Sequence, residues 1–254
     1  MTTTIETTAT KRVPMDSLRK TALVGGALYL ITFVTSIPAR VLFGPVKDPN
    51  FILGTGVADN QVLFAGLLDV LLAFACIGTA VALYPVVKRQ NEGVALGFVG
   101  SRTLEAAIIV TGAIALLSVV TLRQAGAGAD GLAAGHALVA AYNWTFLFGP
   151  GFMAVVNAGL LGTLMYRSGL VPRIIPLVGL IGAPLLLASD IAVLFGLWTQ
   201  TSLPAGIATV PIALWEISLG VWLVVKGFRP SPITTGMTAA DNRTSSPTVT
   251  ASTH

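Results

Sequence analysis

Val94 to Val120 reads VALGFVGSRTLEAAIIVTGAIALLSVV, an apolar run with Arg102 and Glu105 set inside it. A helix that crosses a bilayer needs about 20 such residues, so this run predicts a membrane span with two charges in its interior. Small residues share the face of the acid. Gly93, Gly97, Ser101 and Glu105 recur every four positions, and Gly112 follows seven later. Faces of this kind let helix backbones approach closely. Glu105 is therefore expected to point at other helices rather than at lipid.

Five more apolar stretches have the same character, at roughly 21–43, 61–87, 142–165, 173–197 and 205–226. They add Asp69, Asp190 and Glu216 to the interior charges, each on a face of small residues such as Ala65, Gly66 and Ala73 beside Asp69. A charge at the centre of a spanning helix costs about 2.5–3.5 kcal/mol, so all of them facing lipid would cost on the order of 15 kcal/mol. The fold class expected is all-α, a polytopic transmembrane bundle of six helices. Composition agrees: 54% of the chain is hydrophobic and 10% charged, against about 25% charged in soluble domains.

The basic residues set the orientation. If the N-terminus is cytoplasmic, the inside segments hold Lys11, Arg12, Arg19, Lys20, Lys88, Arg89, Arg167, Arg173, Lys226, Arg229 and Arg243, and the outside ones only Arg40, Lys47 and Arg123. This positive-inside bias predicts both termini in the cytoplasm and a plasma (inner) membrane location. Arg167, Arg173 and Lys226 serve as topology anchors, able to meet anionic headgroups. The formal charge of +4 then needs no nucleic-acid partner. Residues 1–17 and 230–254, rich in Thr, Ser and Pro, are expected to be disordered tails flanking a transmembrane domain at 18–229. The first apolar run is too long for a signal peptide's core and reads as a retained helix.

Between the spans, the segment from Arg40 to Asn60 reads as an irregular loop. Leu132 to Ala140 reads as an interfacial helix leading into the fourth span. Pro38, Gly149-Pro150-Gly151, Pro184 and Pro211 are possible kinks. Glu105 and Glu216 lie at matching depths in the third and sixth spans, but Asp69 and Asp190 do not match, so an inverted repeat is weakly supported.

At about 1.5 Å per residue, Glu105 and Glu216 fall near the midplane, while Asp69 and Asp190 lie nearer the outer side. With Arg40 at the outer end of the first span, the polar groups describe a crevice open outward. Arg102 and Glu105 are close enough to bond along one helix face. The candidate ligand- or proton-binding residues are thus Asp69, Arg102, Glu105, Asp190, Glu216 and Arg40, with Asn143 and Asn157 available to join them.

Enzyme signatures are sparse. The single Cys76 allows no intrachain disulfide, and His136 and His254 lie outside the spans, which excludes haem between intramembrane histidines and a His-rich zinc site. No H-E-x-x-H or G-x-S-x-G motif occurs, and Ala188-Ser189 before Asp190 departs from the Gly-x-Gly of intramembrane aspartyl proteases. No cofactor, metal or catalytic residue is expected.

The strings Ser101-Arg-Thr-Leu-Glu105-Ala, Tyr166-Arg-Ser-Gly-Leu-Val-Pro-Arg173 and Glu216-Ile-Ser-Leu-Gly-Val-Trp-Leu-Val-Val-Lys226-Gly, with Asp190 between the last two, resemble a bacterial membrane-protein family known as domain of unknown function 4386. The resemblance covers about residues 15–230. It implies a six-helix integral membrane protein and supports testing Arg102, Glu105, Asp190 and Glu216, without giving them roles. The function expected is a non-enzymatic membrane protein binding a small ligand or lipid in its outer crevice. The alternative is a small proton-coupled secondary transporter, working as a homodimer through the Gly93/Gly97 face; an intramembrane hydrolase ranks third.

Overall fold

A computed structural model describes residues 17–235. It is helical, with no strand among the described residues. The helices are α1 (Ser17–Leu42), α2 (Asp59–Val87), α3 (Glu92–Gln124), α4 (Leu132–Phe146), α5 (Ala154–Ser168), α6 (Ile174–Leu194) and α7 (Leu203–Val225). A π-helical segment, Leu147–Met153, joins α4 to α5, so that residues 128–168 form one span and the described residues make six. Large apolar side chains are left exposed along the bundle: Val34 and Ile37 on α1, Phe74 on α2, Ile114 on α3, Ile181 on α6 and Leu214 on α7. Such a girdle is tolerable against lipid and not against water. This is a multi-pass membrane protein.

Local chemistry fixes where the helices start and stop. Asn91 caps α3 by accepting from the Val94 N–H at 3.0 Å, satisfying one of the donors a helix start leaves over. Ser202 caps α7, with Pro204 in its first turn. Gly169 ends α5 at φ 67°, a left-handed conformation that glycine adopts without a Cβ penalty.

Two departures from the sequence expectation stand out in the fourth span. No separate interfacial helix precedes it: α4 starts at Leu132 and runs straight into the span, which takes in His136, expected outside the spans. Gly149-Pro150-Gly151 does not break the span either but widens one stretch into π-helix, because a proline without its N–H is accommodated by a shift in the hydrogen-bond ladder. Pro38, Pro184 and Pro211 all lie inside continuous helices.

The start of α1 and the end of α7 lie on one face, here called proximal. Arg19 ties them together, donating to the Leu223 and Val224 carbonyls at 2.8 and 2.5 Å at the end of α7, where orphan carbonyls need donors. Arg167, Arg173 and Lys226 lie on this face, at the ends of α5, α6 and α7. Beyond α7 the chain stays packed as far as it is described. The Arg229 N–H donates to Leu170 O at 2.7 Å, and buried Ser231 donates to Ser168 O at 2.6 Å. Residues 230–235 of the expected C-terminal tail thus continue from α7 along the end of α5, and residues 1–16 and 236–254 of the expected tails lie outside the described residues.

The core has two main parts. On the proximal side Tyr29, Leu83, Phe98, Leu161, Met165 and Trp215 pack into a continuous cluster. On the distal side Phe43, Val46 and Ile52 fold down against Val62, Leu116 and Tyr142. The loop after α1 is therefore not irregular throughout. It makes two single 3-10 turns, Pro45–Lys47 and Phe51–Leu53, and is pinned by an Asp59–Arg123 ion pair, Gln124 to Asp59 and His136 to Pro49 O at 2.9 Å. Between the two clusters lies a cavity.

Candidate functional site

The cavity has a volume of about 360 Å³ and all six spans contribute to its wall. Its acidic and basic lining is Arg40 from α1, Asp69 from α2, Arg102 and Glu105 from α3, and Glu216 from α7. Five of the six residues singled out from the sequence thus share one space. The rest of the wall is largely apolar, with Phe33, Leu72, Ile109, Phe146, Leu186 and Ile212 among its members.

Its deepest polar group is a network between α3 and α5. Arg102 Nη1 donates to Glu105 Oε2 at 2.7 Å, within one helix as the spacing of three residues allows. Asn157 Nδ2 donates to the same oxygen at 2.7 Å, and Ser101 Oγ donates to Asn157 Oδ1 at 2.5 Å. All four side chains are buried. Arg102 also lies over the Tyr29 ring, 5.3 Å from its centroid, leaving its Nε and Nη2 without hydrogen-bond partners. In a low-dielectric interior this charge is tolerable because a carboxylate and an aromatic face both meet it.

Nearer the distal face, Arg40 lies over the Phe146 ring, with its guanidinium carbon 3.3 Å from the centroid. Stacking on an aromatic suits a planar, weakly hydrated cation. Asp69 is 7% exposed, and no hydrogen bond reaches its carboxylate from the described residues; Glu216, half-buried, has none either. These two acids face the cavity with spare acceptor capacity.

Asp190 is the exception. It does not line the cavity but packs behind it, against the π-helical segment. A Cβ on Gly151 would come within 2.8 Å of Asp190 Oδ2, and that oxygen is buried without a partner. Asp190 turns inward but away from the crevice expected of it, because helix periodicity fixes a face and not what packs on it. Asn143 stays outside the network as well, its backbone carbonyl accepting from Gln200 at 2.8 Å.

Several lining residues carried little sequence signal. Tyr142 and Phe146, on one face of α4, border the space around Arg40, and Thr209 and Ala213 supply the small wall on α7. Asn157 had a signal, as a buried amide in an apolar span, but its partner could come only from the packing of α3 on α5.

The sequence profile of the family described as Domain of unknown function (DUF4386) matches residues 24–227. No curated protein and no solved structure matches the chain.

Proposed function

The chain belongs to the DUF4386 family, and on that premise we propose that it is a non-enzymatic membrane protein that binds one small amphiphilic ligand between its spans. The observation carrying this reading is convergence. Ionisable side chains from four different helices meet in one cavity whose remaining wall is apolar. A pocket of a few hundred Å³ with a few polar groups set in an apolar wall is the usual form of a small-molecule site. Charges inside a membrane are costly enough that they mark function by default. Under the positive-inside rule the proximal face is cytoplasmic, and the cavity lies toward the outer side of the plasma membrane.

The test is ligand-dependent thermal stability of the purified protein in nanodiscs, against a panel of single-chain amphiphiles. A ligand at 100 times its Kd should stabilise the fold by about 2.7 kcal/mol. The shift should vanish in Ile109→Trp, which fills the cavity from α3. A panel in which nothing raises the melting temperature defeats the reading.

A second reading, proton-coupled transport, is favoured by the free carboxylates of Asp69 and Glu216 facing one space, with the exposed Gly93/Gly97 side of α3 as the contact for a second copy. It requires a flux driven by a proton gradient that Glu216→Gln abolishes in protein that still folds. Flux that survives this change removes it.

A further inference from the structure

The cavity reaches the seam between α1 and α7. Near the proximal face these antiparallel helices touch almost backbone to backbone: a Cβ on Gly26 would lie 2.7 Å from the Gly220 carbonyl oxygen, and one on Gly220 would lie 3.2 Å from Leu30 Cγ. Continuing that register toward the distal face brings Phe33 opposite Glu216, Ile37 opposite Ala213 and Arg40 opposite Thr209. All six of these residues line the cavity. The two helices, in contact at Leu30 and Gly220, therefore both border the cavity from the next turn on.

Two of the six are also open to the outside of the bundle: Ile37 is 60% exposed, and Thr209 is exposed as well. A residue that lines a cavity and is exposed on the surface marks its mouth. Ile37 lies five positions before the end of α1, about 7 Å along the axis, within the hydrocarbon half-thickness of about 15 Å. With the end of α1 placed at the membrane edge, that depth turns the mouth sideways, against acyl chains.

The charges inside have a sign. Arg40 and Arg102 face Asp69, Glu105 and Glu216. Glu105 is taken up by Arg102 and Asn157, and Arg40 is stacked on Phe146. With every group ionised, the lining holds one carboxylate more than it has guanidinium groups to match. Asp69, more than nine-tenths buried, faces the space without a hydrogen bond from any described residue.

We infer that the α1–α7 seam is a side door through which a single-chain amphiphilic amine, dissolved in the distal leaflet, reaches the cavity. Its ammonium group is held by Glu216, and its chain lies along Phe33 and Ile37 toward the lipid. The inference rests on the ligand-binding reading above and adds the route and the charge of the ligand. A monocation balances the surplus carboxylate where water cannot.

Full-length protein in phosphatidylcholine nanodiscs is titrated with dodecylamine, dodecanoate and dodecanol. Dodecylamine should bind at least tenfold more tightly than the other two, and Glu216→Gln should weaken dodecylamine at least tenfold while dodecanol binding persists, which also reports an intact fold. Dodecanoate binding as tightly as the amine, or an unchanged amine affinity in Glu216→Gln, overturns the assignment of charge. For the route, Ile37→Cys and Ala213→Cys are combined in a Cys76→Ser chain and joined by a short bifunctional thiosulfonate. Dodecylamine association should slow at least tenfold and recover when reductant cleaves the link; an unchanged rate overturns the side door. If none of the three amphiphiles binds the unaltered protein, the ligand-binding reading fails with it, a result distinct from amine binding that ignores the link.

Discussion

Asn157 on α5 and Arg102 on α3 hold the same oxygen of Glu105, each at 2.7 Å. One donor comes from within the helix and the other from across the bundle, so a single carboxylate both neutralises a buried arginine and joins two spans. Removing any one of the three leaves a different group stranded, and the costs should differ accordingly.

Glu105→Ala strands Arg102 among apolar walls and should cost about 3–5 kcal/mol, as breaking a buried pair does. Asn157→Ala removes one interhelical hydrogen bond, for which about 0.6 kcal/mol is the membrane average and about 1.7 the upper end. The pair Arg102→Met with Glu105→Leu should be less damaging than Glu105→Ala alone. Thermal unfolding in one detergent ranks them; a double variant as unstable as the single would contradict this account of the network.

Asp190 and Gly151 touch so closely that even a methyl group on Gly151 is too large. Gly151→Ala should destabilise by about 1–3 kcal/mol, the usual range for overpacking. Asp190→Ala in the same chain should restore much of the loss, since it removes the atoms in the way. A non-additive double-mutant cycle is the expected signature; simple additivity would mean that the two positions are not in contact.

The distal cap depends on Asp59, which meets Arg123 and accepts from Gln124 at 3.0 Å. Arg123→Ala should free the segment from Gly44 to Ala58 without unfolding the spans. Hydrogen exchange reads this directly, as faster exchange confined to that loop and to the start of α2. Exchange spreading evenly through α3 would show that the pair stabilises the whole bundle instead.

Orientation makes a separate prediction. Changing Arg167, Arg173 and Lys226 together to Glu takes three positive charges from the short proximal segments, which set topology. A reporter fused at the C-terminus, cytoplasmic in the unaltered protein by this reading, should then appear outside in a measurable share of molecules. A reporter outside in the unaltered protein would reverse the orientation.

Much of this protein was legible in its sequence. Six spans, their approximate limits and the inward direction of the acids followed from run length and from the placing of small residues beside Asp69, Glu105, Asp190 and Glu216. The Arg102–Glu105 pair followed from a spacing of three on one helix. Each of these is a local matter, since hydropathy and helix periodicity act over a turn or over one bilayer thickness.

Only the tertiary structure decided which faces meet. It set Asn157 on Glu105, put Asp190 behind the cavity against Gly151, and folded the loop after α1 into a packed cap. It also let α1 and α7 touch at Gly26 and Gly220 and border one cavity at Ile37 and Ala213. Periodicity turns a side chain inward, but the neighbour it finds depends on the mutual register and rotation of two helices. That is settled by how all six surfaces pack together, and no single span encodes it.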